Sequence, residues 1–179
     1  MKTCIAVPEL QNCSVELSLD VVGRITQLFA LDFSRVKLFM TVRKGFNVEQ
    51  VEAMEREYKR FLCLSIAFPE KAFPISNAVD EMWHAHILFT YEYHKASEII
   101  GCDYLHHIPT LNEAERAALE PNYFQDTLGC YRALFGEPPT VWWPKDSASI
   151  CWSCGCHVKQ CPRHIRTGAT QHEECAVEA

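Results

Sequence analysis

Between Asp80 and His107 the chain carries the side chains of a metal or proton-transfer site. Residues 82–107, MWHAHILFTYEYHKASEIIGCDYLHH, hold five of the eight histidines, in a run that is otherwise apolar and aromatic. Imidazole is the commonest metal ligand and titrates near neutral pH. On a helix, Asp80 and His84 are four apart and share a face, and Tyr91, seven beyond His84, falls back onto it. A carboxylate and an imidazole so placed hold one ion together, or the carboxylate orients the ring. Further along, a turn at Gly101 can return His106 and His107 to that face. Asp80, His84 and His106 are therefore the first-choice metal ligands, with His86 and His107 second, and Tyr91 is the candidate catalytic proton donor.

His86 fits this picture less simply. Two residues from His84, it points about 200° away around a regular helix, so both rings reach one ion only through a distorted turn such as a π-bulge. It also lies on the side of Met82, Phe89 and Tyr93, which reads as core. The alternative to a site is a buried helix whose histidines make ordinary hydrogen bonds. His94 is read that way, as a surface or packing residue, and Trp83 as core or as the wall of a site.

A second group of ligand-type residues lies near the C-terminus. In CWSCGCHVKQCPRH, Cys151 and Cys154 form a C-x2-C pair and Cys161 and His164 a C-x2-H pair, with Cys156 and His157 between them. Ligands two residues apart make the knuckles of structural zinc sites, and a short segment without a core needs such a staple to fold. The six residues between the pairs are few for a standard finger. A redox-active C-x2-C, a flexible thiol tail that delivers a metal, and no special role stay open.

These residues need elements to hold them. Apolar positions recur at three and four through a body poor in glycine and proline, so the body reads as helices. One is predicted over about 15–33. A second, over about 35–43, is read as helix although KLFMTV has strand character. The third starts at the N-cap Asn47, with Gln50 in capping-box position, and stops before Pro69. Residues 69–76, with two prolines, form a rigid connection. A single helix carries the histidines from about Asn77 to Ile100 and ends at Gly101. Shorter helices follow near 112–119 and 122–135, the last closed by Gly136. The periodicity ends near Trp143, so deletion of residues 145–179 should leave a folded body. The predicted architecture is all-α: a single helical domain over residues 1–144 with a small Cys-rich appendage over 145–179.

Composition narrows the function classes. A chain of 179 residues that is 48% hydrophobic supports one core and a small appendage. Its net charge of −6 offers no basic stripe to displace counterions from phosphates, which argues against nucleic acid and anionic membranes as partners. The N-terminal MKTCIAVPEL is interrupted by Pro8 and Glu9 and makes a poor secretory signal, and no apolar run reaches a membrane span, so a cytoplasmic location is expected.

The string VDEMWHAHILFTYEYHKASEIIGCDYLHH, with Asp80, Trp83, His84, His86, Thr90, Tyr93, Gly101 and His106, resembles the hallmark of the glycine-rich domain-containing protein-like family. FQDTLGCYRALFGEPPTVWW is similar to its bacterial members, and the resemblance spans roughly residues 45–143. It implies a helical domain with a histidine site and says little about reaction. The chain departs from that family in lacking a glycine-rich segment and in carrying His107 where many relatives have an acidic residue. An imidazole there shifts the ligand set toward copper, iron or zinc.

The leading reading is a metal-dependent enzyme, an oxidoreductase or a modifier of a peptide or small molecule, with iron, copper or zinc at the histidine cluster and zinc in the tail. A non-enzymatic metal-handling protein and a helical interaction module with structural histidines are the alternatives.

Overall fold

The computed structural model describes residues 7–109, 123–144 and 148–156. Its helices form where the apolar periodicity and the caps place them. The first, α1 (Leu19–Phe29), starts at Ser18, whose hydroxyl accepts from the Val21 amide, and buries Ile25 and Leu28. Helix α2 (Ser34–Lys44) is introduced by Asp32, whose Oδ1 accepts from the Ser34 amide at 2.8 Å, and ends on Gly45 in the left-handed conformation. Helix α3 (Val48–Ala67) has the predicted capping box: Asn47 accepts from the Gln50 amide while the Gln50 side chain accepts from the Asn47 amide. Those reciprocal bonds satisfy two otherwise orphaned donors.

Helix α3 is the axis of the fold and packs against α1 and α2 and against the later helices α4 (Asn77–Ile87), α5 (Thr90–Ile100) and α6 (Tyr123–Phe135). Its second half is buried all round, including Glu57 and Lys59. Charged residues in that position require partners. Lys59 Nζ donates to the carbonyls of Phe29 and Leu31, at the end of α1, and pairs with Glu55 at 2.8 Å. An ammonium there satisfies carbonyls that a helix C-terminus leaves open. Glu57 faces the other side, toward α6 and Trp143.

Three predicted elements differ from what is observed. The proline-containing connection ends in a strand, β1 (Phe73–Ser76), which is buried throughout. The single histidine helix is two helices, α4 and α5, separated at Leu88 and Phe89. The Leu88 and Phe89 amides donate to carbonyls only three residues back, tightening the end of α4, and Phe89 leaves the helix with ψ 68° to pack against Phe39 under the Arg35 guanidinium. The third difference concerns the supposed tail. Residues 148–156 form β3 (Ala148–Cys156), the central strand of a sheet ordered β1-β3-β2, antiparallel to both β1 and β2 (Tyr104–Pro109). The boundary expected at residue 144 therefore separates a central strand from its neighbours, and removing residues 145–179 would leave both outer strands without their backbone partner. The helix predicted near 112–119 lies outside the described residues. The fold is mostly helical and single-domain, as expected, with this small sheet added.

Gly101 ends α5 with φ 89° and turns the chain into β2. A Cβ at this position would collide with the Arg24 guanidinium, which donates to the Ile100 carbonyl. Gly101→Ala combines a left-handed conformation, costly for a residue with a Cβ, with displacement of Arg24. We expect a loss of about 1–2 kcal/mol in a denaturant titration. An unchanged midpoint would mean that the turn relaxes without strain.

Candidate metal centre

Asp80 owes its position to the junction between β1 and α4. Ser76 ends the strand and caps the helix, its hydroxyl accepting from the Val79 amide, so Asp80 stands in the first helical turn, where a carboxylate is favoured by the exposed amides. His84 follows one turn later on the same face, as the spacing predicts. The third member comes from β2. Trp83 Nε1 donates to the Tyr93 hydroxyl at 2.8 Å, that hydroxyl donates to the Leu105 carbonyl, and the Leu105 amide donates to Ser97 Oγ. This chain of bonds ties β2 to α4 and α5 at Leu105. Two residues on, strand alternation brings His107 to the same inner side as Leu105.

The His107 ring meets the indole of Trp83 edge-on at 4.3 Å, and its Nε2 lies 3.0 Å from Asp80 Oδ1. His84 Nδ1 is 3.8 Å from Asp80 Oδ2, and the two imidazoles are 4.6 Å apart between centroids. One donor atom from each of Asp80, His84 and His107 lies within 4.8 Å of the others. Metal–ligand bonds of about 2.0–2.2 Å place neighbouring donor atoms about 3.0–3.5 Å apart. The Asp80–His107 pair has that spacing already. His84, with its side chain 47% exposed, needs to move by only about an ångström to close the set, while the 6% and 11% exposure of the other two fixes them.

The remaining predicted residues lie elsewhere. His106, ranked first from its sequence position, alternates to the outer side of β2, where it is exposed and packs beside Tyr104 at 5.2 Å. It exchanges roles with His107, and the signal was present in YLHHIP: Leu105 marks the inner parity, and His107 shares it. His86 is fully buried on the far side of α4. Its Nδ1 lies 3.1 Å from the Tyr58 hydroxyl, and the ring sits between Phe33 at 4.5 Å and Tyr93 at 5.1 Å. Burial pushes the imidazole down to about 4, partly offset by Glu92. His86 thus serves the core and not the cluster. Tyr91 also falls away from the site, because the break at Leu88 and Phe89 removes the continuous helix on which the seven-residue spacing depended. It is 80% exposed. His94 is an exposed partner of Glu98, at 3.4 Å.

In the Cys-rich segment the backbone is extended through Cys151 and Cys154, which spaces their Cα atoms about 10 Å apart. That is not the tight turn of a zinc knuckle. The register sets Cys154 opposite His106 and Cys151 opposite Pro109. Cys161 and His164 lie outside the described residues.

A mostly helical domain with a two-histidine, one-carboxylate cluster at the junction of helix and sheet is the class that this fold and site define. The chain belongs to the UCP032817-like family, whose model matches residues 23–121, more than half of its length. That assignment replaces the resemblance to the glycine-rich domain-containing protein-like family: the matched family is a different, uncharacterised one. No curated protein and no solved structure is similar to the chain. Among the described residues, no helix is long and apolar enough to cross a membrane.

Proposed function

We propose that Asp80, His84 and His107 bind one divalent transition metal ion and that the protein is a metal-dependent enzyme. The convergence of one carboxylate and two imidazoles within 4.8 Å carries this reading. Two histidines and one carboxylate suit zinc or iron, and three protein ligands leave positions open for water or substrate. The ion would supply Lewis-acid or redox chemistry. The protein supplies the rest. Asp80 contributes the negative charge, Trp83 walls one side of the His107 ring, and the exposed His84 marks the side from which a substrate enters.

Metal content of protein purified without a histidine tag tests the proposal, followed by cobalt(II) loading of the metal-free protein. We expect about one ion per chain and visible cobalt bands that change on addition of azide, an exogenous ligand that occupies an open position. Failure to retain any ion after dialysis, with no cobalt bands, would remove the metal centre altogether. A metal-handling role is the second reading. It is favoured by the register that sets Cys154 beside His106 on the strand pair leading to His107, and it predicts several ions per chain and intense cobalt–thiolate absorption that azide leaves unchanged.

A further inference from the structure

Helix α2 is apolar on two sides. One side, with Val36 and Met40, enters the core. The other, at Arg35, Leu38, Phe39, Val42 and Arg43, follows the i, i+3, i+4, i+7, i+8 spacing of a second helix face. That second face lines a groove of about 310 Å³, which Phe89 completes. The break between α4 and α5 puts Phe89 there: it leaves the helix and meets Phe39 edge-on at 5.9 Å. Leu38, Val42 and Leu88, the neighbour of Phe89, stay largely exposed. Single exposed apolar residues are ordinary, whereas apolar side chains gathered along one groove with charged ends mark a binding surface.

The charged groups in that lining are both arginines. Arg35 and Arg43 stand eight residues apart, about 12 Å along the helix. Arg35 pairs with Glu92 at 2.9 Å and lies over the Phe89 ring. Arg43 is exposed and has no ion-pair partner among the described residues. This local positive charge sits on a chain of net charge −6, so it marks one place where an acidic partner is attracted rather than repelled. A second copy related by a two-fold axis would set arginine against arginine, with no carboxylate in the lining to separate them. An anionic lipid surface is repelled by the net charge and would meet Glu81 and Glu92, which hold Lys44 and Arg35.

We propose that this groove docks an acidic amphipathic helix of a protein partner. Apolar side chains of that helix, at i, i+3 or i+4 and i+7, lie on Leu38, Phe39, Val42 and Phe89. Its carboxylates, about two turns apart, face Arg43 and Arg35. The apolar stripe supplies most of the affinity, and the arginines select acidic over basic helices. The site is separate from Asp80, His84 and His107 and does not depend on a bound metal.

The probe is a synthetic helical peptide with leucines at the i, i+3, i+4 and i+7 positions and glutamates on the flanks. Its counterparts carry lysine in place of glutamate, or the same residues in an order without periodicity. Each is titrated into the full chain and followed by fluorescence anisotropy and methyl chemical shifts. We expect the glutamate peptide to shift the methyl resonances of Leu38, Val42 and Leu88 and to bind about tenfold more tightly than either counterpart. Leu38→Ser and Val42→Ser, at exposed positions where the fold loses little, should each weaken it severalfold. Arg43→Glu should reverse the preference in favour of the lysine peptide, an exchange that general damage to the fold does not produce. Equal affinity for the three peptides, or no shifts at about 1 mM peptide, would overturn the proposal. So would a chain that sediments as a dimer dissociated by Leu38→Ser, which makes the groove an interface between copies. Binding to phosphatidylglycerol vesicles that Leu38→Ser abolishes would assign the groove to a lipid surface and overturn the helical partner as well.

Discussion

Asp80→Ala, His84→Ala and His107→Ala should each lower metal affinity by at least about 100-fold, beyond the roughly 10–100-fold typical of a residue that only supports a ligand. His106→Ala and His86→Ala should leave it within a fewfold of the parent. The three ligand substitutions should not add when combined, because each opens the same site. The separation between His107 and His106 is the decisive comparison, since adjacent strand residues point to opposite sides and it is His107 whose Nε2 lies 3.0 Å from Asp80 Oδ1. Asp80→Ala carries a second effect in the metal-free protein. It leaves the nearly buried His107 without its Asp80 hydrogen bond, at about 1–3 kcal/mol. Asp80→Asn keeps a hydrogen-bonding group and should recover much of that stability without recovering the metal. Competition titration with a chromogenic chelator gives the affinities, and equal losses at His106 and His107 would sink the assignment.

Glu57→Ala should be the most destabilising single substitution in the body. Its Oε2 accepts from the Tyr131 hydroxyl at 2.6 Å and from Trp143 Nε1 at 2.9 Å, and its Oε1 accepts from Arg60 at 3.0 Å. The carboxylate thus joins α3 to α6 and to the segment beyond it, and Arg60 also donates to Tyr131 and lies over the rings of Tyr131 and Phe135. Burial pushes the Tyr131 phenol far up, so it remains a donor at any working pH. Removing the acceptor takes a partner from three donors, one of them charged, although Arg60 retains the Tyr131 hydroxyl. The expected cost is about 3–5 kcal/mol, or about 10 °C in Tm for a chain of this size. Glu57→Gln should cost less but still measurably, because its amide turns a donor toward donors. Calorimetry of both variants decides it. A Tm for Glu57→Ala within 2 °C of the parent would mean that water replaces the network at little cost, with about 2–4 °C expected per kcal/mol.

The sequence by itself determined most of the helical body. The capping box of Asn47 and Gln50, the left-handed glycine at 101 and the shared face of Asp80 and His84 are consequences of local geometry, and each appears as read. The break between α4 and α5 was not legible. Buried positions 79, 82, 83 and 86 before it and 93, 96, 97 and 100 after it keep one helical phase, so the pattern runs through Leu88 and Phe89 without a sign. The packing of Phe89 against Phe39 and Arg35 decides it. Strand β3 was hidden for a related reason: Cys, Ser and Gly carry no clear apolar alternation, and what fixes SICWSCGC as a strand is backbone pairing to two segments more than 40 residues earlier in the chain. The candidate cluster of Asp80, His84 and His107 divides along the same line. Asp80 and His84 belong to one helix and could be paired from spacing alone. The choice of His107 over His106 depends on which side of β2 faces α4. That is fixed by the bonds that hold Leu105 to Tyr93 and Ser97, contacts that exist only once helix and strand have come together.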